Sequence, residues 1–106
     1  MSTTYDRQGK PLADVEAWAE LHSDLDYCRI AETILPDGTW VSTVWLGLDH
    51  NFIGGPPLIF ETMVFPQKDV FTELDQARYS TEGEAIVGHE VMVAKWTKRP
   101  TNEVIL

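Results

Sequence analysis

Tyr27-Cys28-Arg29-Ile30-Ala31-Glu32-Thr33-Ile34-Leu35, Pro36-Asp37-Gly38 and Thr39-Trp40-Val41-Ser42-Thr43-Val44-Trp45-Leu46 follow one another without a break. Two runs rich in β-branched and aromatic residues flank a turn cluster, and that pattern predicts a β-hairpin. With Leu35 facing Thr39, Ile34 pairs with Trp40, Glu32 with Ser42, Ile30 with Val44 and Cys28 with Leu46. The period of two then gathers most of the apolar residues on that face. The opposite face carries Thr33 with Val41, Ala31 with Thr43 and Arg29 with Trp45, the last pair set for a cation–π contact.

Working outward, Leu58 to Phe65 repeats the alternation, with Leu58, Phe60 and Val64 on one side and Ile59, Glu61, Met63 and Phe65 on the other. Antiparallel pairing that sets Leu58 opposite Leu46 and Phe60 opposite Val44 extends the apolar face to a third strand. Residues 66–79 read as a polar connection in which Val70, Phe71 and Leu74 pack or make a helical turn. Thr81-Glu82-Gly83-Glu84 is a capping box. Behind it Ala85, Ile86, His89, Met92, Val93 and Trp96 form a helical stripe that ends before Pro100.

At the other end, Gln8-Gly9 marks a turn and Pro11 halts regular pairing. Val15, Trp18, Ala19 and His22 predict a short helix over about Ala13 to His22, with Asp14 favourable at its N-terminal dipole. The expected fold is α+β in the order α-β-β-β-α: a three-stranded antiparallel sheet, or a four-stranded one, with a short N-terminal and a longer C-terminal helix. The helices should cover the face of Ile30, Val44 and Phe60. The ordered core should span about residues 5–97, with Thr101 to Leu106 frayed or docked as a short edge.

At 106 residues the chain suits one domain, since two cores of half that size would not offset chain entropy. Cys28 is the only cysteine, which excludes an internal disulfide and any zinc site built on a Cys pair. Its acidic surroundings, Asp24, Asp26 and Glu32, do not favour a reactive thiolate. No stretch reaches the roughly 18 apolar residues of a membrane span, and the first residues lack the pattern of a signal peptide. A cytoplasmic location is the expectation. The net charge of −9 repels phosphate backbones and anionic membranes, so the expected partner is a protein, and a basic one.

Two surfaces stand out as candidate sites. The first is the loop Asp49-His50-Asn51, held between Gly47 and Gly54-Gly55-Pro56-Pro57; its polar side chains could serve chemistry, or could simply bond local backbone. A phosphate site at Gly54-Gly55 is excluded, because the prolines remove amide donors and a strand follows. Asp49, His50, Glu61 and His89 have ligand chemistry for a divalent metal but no ligand spacing, so neither a metal nor a cofactor is expected. No catalytic residue is assigned, since there is no nucleophile elbow and Ser42 lies in mid-strand. Glu32, Ser42 and Thr62 would form a polar row, either at a solvated sheet margin, as the rarity of buried charge favours, or as a buried network fit for acid–base work. The second surface is the sheet face of Arg29, Thr43, Trp45, Ile59, Glu61 and Met63, which mixes a cation, an indole and apolar groups as protein-binding centres do.

The segments Trp40 to His50, Gly54 to Phe65, Tyr79 to Ala85 and Gly88-His89-Glu90 resemble a group of uncharacterised small acidic proteins of actinobacteria and their phages. The resemblance implies a phage or prophage setting and carries no catalytic residues. The leading expectation is a small non-enzymatic accessory protein that binds another protein, a DNA-mimic inhibitor being its sharper form. The alternative is a small enzyme or metal-binding domain centred on Asp49 and His50.

Overall fold

The Pro36-Asp37-Gly38 cluster closes a hairpin, with Gly38 at φ 93° and the Leu35 amide donating to the Thr39 carbonyl across the turn. In the computed structural model, which describes residues 3–98, this hairpin joins β1 (Arg29–Ile34) to β2 (Trp40–Trp45). It is preceded by α1 (Val15–His22) and α2 (Leu25–Cys28) and followed by β3 (Phe60–Phe65), β4 (Asp75–Tyr79) and α3 (Glu82–Thr97). The fold is α+β, and its sheet has four antiparallel strands in the order β1-β2-β3-β4. The expectations placed on Pro100 and Thr101 to Leu106 lie outside the described residues.

The β1–β2 register is the expected one from Ile34↔Trp40 through Ala31↔Thr43. A bulge at Ile30 then sets Arg29 against Val44 instead of Trp45. The β2–β3 register differs by one residue: Trp45 pairs with Phe60, Thr43 with Thr62 and Val41 with Val64. Because side chains alternate, that single step exchanges the faces. Val41, Thr43, Trp45, Phe60, Thr62 and Val64 form the covered face, every one of them at most 1% exposed. Trp40, Ser42, Val44, Glu61, Met63 and Phe65 turn the other way. The expected core face of Ile30, Val44 and Phe60 is corrected accordingly: Phe60 is core, whereas Val44 lines the outer side.

Helix α3 lies across all four strands on the covered face. Thr81 caps it, Glu84 completes the capping box, and Ala85, His89 and Met92 point inward. One apolar cluster joins Leu35, Val41, Val64 and Met92; a second joins Trp45, Ile59, Phe60 and Ala85, with Trp18, Leu21 and Tyr27 packed against it. Each such fully buried large side chain contributes about 1.5–3 kcal/mol relative to exposure. Between the clusters runs a polar chain. Tyr79 Oη donates to Thr62 Oγ1 (3.1 Å), Thr62 bonds Thr43, Thr43 Oγ1 meets His89 Nδ1 (2.7 Å) and His89 Nε2 meets Thr33 Oγ1 (2.9 Å). Every hydroxyl is satisfied when Thr43 donates to Nδ1 and Nε2–H donates to Thr33.

The N-terminal segment and the helices α1 and α2 close the Trp45 end of this face. Trp18 Nε1 donates to the Leu46 carbonyl and Trp45 Nε1 to the Tyr5 carbonyl. Gly47, at φ 77°, lets both indoles lie against the backbone, since a Cβ there would collide with Trp18 and Trp45. Pro11 does not prevent pairing altogether: it forms an isolated bridge with Tyr5 across the turn at Gly9. Arg7 grips Glu82 with two bonds (2.9 and 2.6 Å) and donates to the Tyr27 carbonyl, tying the entry segment to α2 and α3. β4 comes from the stretch expected to be a polar connection, and Asp24 caps the unanticipated α2.

Candidate functional site

With α3 and α1 on one side of the sheet, the outer side of β1 and β2 is left beside two short walls. Ser42 and Val44 alternate with the buried residues of β2, and Glu32, paired with Ser42, lies on the same side. α2 contributes Leu25 and Cys28 at one wall; Lys68, Asp69 and Phe71 of the 66–74 connection form the other. Together with Arg29 and Trp40 they line a cleft of about 430 Å³. Asp69 has φ 65°, and the Gln67↔Val70 bridge folds the connection back so that Lys68 and Phe71 reach the sheet.

The cleft combines aromatic and charged groups. Trp40 stacks at 4.9 Å from the Phe65 ring, and the Phe71 ring stands edge-on to both at 6.1 and 5.7 Å. Glu32 Oε2 accepts from Trp40 Nε1 (2.7 Å) and from Lys68 Nζ (2.8 Å), and the ammonium lies 5.5 Å from the centre of the Trp40 ring. The bond to Lys68, assisted by that from Trp40, holds the Glu32 carboxyl below the ordinary carboxylate range. Around this centre Leu25 and Phe71 are 72% and 71% exposed, and Ile34, on the same face as Glu32, is 54% exposed. These apolar groups meet water although a packed core lies one strand layer away.

The residues expected to form one binding face are divided between the two sides of the sheet. Thr43, Trp45 and Ile59 are buried in the core, so they cannot meet a partner. Arg29, Glu61 and Met63 are not part of that core. Arg29 is exposed at the cleft, near Asp26 and Glu32 and not on Trp45. Glu61 is buried against Arg78, which donates to it at 3.0 Å, and Met63 is half-buried. The one-residue register step divides Glu61 and Met63 from Thr43 and Trp45, and the bulge at Ile30 turns Arg29 to the outer side. The register step also breaks the expected polar row, leaving Glu32 and Ser42 outside and Thr62 inside.

The Asp49-His50-Asn51 loop spends its polar groups on its own backbone. Asp49 Oδ1 accepts from the Asn51 and Leu58 amides (2.7 and 3.0 Å), which bends the chain toward β3. Asn51 Oδ1 accepts from the Ile53 and Gly54 amides, its Nδ2 donates to the Pro56 carbonyl, and His50 Nδ1 meets the Leu48 carbonyl. These residues do not converge with Glu61 or His89; the latter two lie on opposite sides of the sheet. Among the described residues no group of three or more His, Cys, Asp or Glu is gathered as a metal site requires. His89, 2% exposed, is a core histidine whose burial lowers its pKa below the usual imidazole value. Burial raises the Cys28 thiol, which contacts the Leu21 and His22 carbonyls.

Trp40, Lys68 and Phe71 were not named as site residues by the sequence. Val70, Phe71 and Leu74 in a polar connection were the signal that this segment packs back onto the fold. No family model, curated protein or solved structure matches the chain.

Proposed function

We propose that the protein is a small acidic cytoplasmic accessory module that docks another protein on the outer face of its sheet, in the phage or prophage setting that its resemblance implies. The observation that carries this reading is the set of strongly exposed apolar side chains, Leu25, Ile34 and Phe71, grouped around a cleft with Trp40 at its floor. Large exposed apolar groups collected on one concavity with charged neighbours are what interface centres present before a partner covers them. The net charge of −9 steers basic partners toward the protein.

DNA mimicry is the less supported form of this reading. Glu32, Glu61, Asp75 and Glu82 are engaged by Lys68, Arg78, Lys95 and Arg7, so these four acids are neutralised locally and not displayed as a phosphate-like row. The enzyme or metal alternative at Asp49 and His50 gains no support from a loop whose polar groups serve its own turns. In the test, tagged wild type and a Leu25→Ser/Phe71→Ser double variant are used for affinity capture from actinobacterial lysate at low and high salt. The expected result is a partner retained by the wild type, weakened by salt and lost by the double variant, with both proteins equally folded by circular dichroism. Equal capture by the two proteins, or none by either, contradicts the reading.

A further inference from the structure

The 66–74 connection places one of its own cations on the most chemically defined spot of the cleft. Glu32 Oε2 accepts from the Trp40 indole N–H, an anchor that does not involve Lys68. The Trp40 ring is braced by Phe65 and Phe71. A fixed carboxylate next to a fixed indole face is a receptor for a cationic group that carries hydrogen-bond donors. Lys68 fills it from a side chain that is itself half exposed, on a flexible four-carbon stem. An ion pair so open to solvent adds little to stability, so its exchange for another is close to neutral.

We infer that the Trp40–Glu32 pair is a seat for a basic side chain, occupied in the free protein by Lys68 and taken over by an arginine or lysine of a docking protein whose apolar neighbours cover Leu25 and Phe71. The inference rests on reading this face as the docking surface. It adds the partner's chemistry: a basic residue flanked by apolar ones. Arginine suits the seat better than lysine, because a planar guanidinium can bond the carboxylate while lying on the indole. The bonds from Trp40 and Lys68 both go to Glu32 Oε2, which leaves Oε1 open to it, with Arg29 Nε 4.0 Å away. Asp26 and Asp69 stand beside the same cleft and favour positive charge. Lys68 thereby acts as an internal competitor that keeps the seat filled until a partner with apolar flanks arrives.

The test is a titration of ¹⁵N-labelled full-length protein with acetyl-leucyl-arginyl-leucine amide, and with the uncharged citrulline peptide of the same shape, following the Trp40 indole N–H. The expected result is a shift of Trp40 and of Val44 and Phe71 with the arginine peptide and weaker binding of the citrulline peptide. Lys68→Ala should tighten the arginine peptide by about two- to fivefold and Glu32→Gln should weaken it by a similar factor, the range an exposed ion pair spans. Thermal unfolding shows that both variants remain folded. Equal shifts with the two peptides, or an arginine affinity that Lys68→Ala leaves unchanged or lowers, overturn the cation seat while leaving the docking face in place. No shift with either peptide, in wild type and Lys68→Ala alike, also overturns it. The docking face itself then stands or falls on the Leu25/Phe71 capture experiment.

Discussion

An alanine at position 88 would set its methyl group into the ring of Tyr79, which lies directly on the helix backbone there. Gly83, five residues earlier on the same helix, has nothing within contact range of an added methyl. The two positions therefore respond in opposite senses. Gly83→Ala is expected to be neutral or to stabilise by up to about 1 kcal/mol. Gly88→Ala is expected to destabilise by about 1–3 kcal/mol despite its better helix propensity, because Tyr79 must leave its place and its bond to Thr62; urea denaturation of the two variants reads the difference. His89 gives a pH dependence whose sign follows from its burial. Its folded pKa lies below the unfolded value of about 6.5, so below that pH the unfolded chain binds the proton first. Stability is complete above pH 6.5 and declines as pH falls beneath it. The lowered carboxylates of Glu32, Asp75 and Glu82 act in a separate, more acidic window, losing their contribution as pH falls below the ordinary carboxylate range. Urea midpoints at pH 7.5 and 5.5 should therefore differ in the wild type and converge in His89→Gln, whatever the variant's overall stability.

Neighbouring residues of β2 face opposite ways, and substitution should show it. Thr43→Val keeps the shape but leaves His89 Nδ1 and Thr62 without their partner, and should cost about 1–3 kcal/mol. Ser42→Val, on the outer side, should change stability by no more than about 0.5 kcal/mol. Thr81→Ala should cost about 1 kcal/mol by removing the acceptor at the start of α3. The sequence made the β1–β2 hairpin and α3 legible because each carries its own local constraint: a tight Pro36-Asp37-Gly38 turn fixes register, and a capping box fixes a start. No such constraint spans residues 46–59. There the register is set by tertiary bonds, the Leu46 and Gly47 amides both meeting the Ile59 carbonyl, and alternation alone fits two registers one residue apart. Leu46 and Leu58 made the wrong one look more apolar. β4 was missed for a related reason: Asp75-Gln76-Ala77-Arg78-Tyr79 is an edge strand with polar outer positions, and its inward Ala77 and Tyr79 are too few to show a period. The loop site was read in full but its role was not, since nothing in Asp49-His50-Asn51 says whether amides or a ligand will take its oxygens.

For the molecule as a whole, one sheet separates two environments. On the α3 side, apolar clusters flank a satisfied polar chain, and on the outer side aromatic and charged groups stand open beside the cleft. Stability and docking should therefore separate by mutation. Phe60→Ala is expected to cost about 3–5 kcal/mol, whereas Leu25→Ser and Phe71→Ser should each shift the unfolding free energy by about 0.5 kcal/mol or less, as chemical denaturation would show. The docking proposal depends on which side of β2 the long helix covers, and nuclear Overhauser contacts of the His89 ring measure that directly. The structure predicts contacts from His89 to the side chains of Thr33 and Thr43 and none to Ser42 or Val44. Contacts to Ser42 and Val44 instead would place the helix over the cleft and contradict the account.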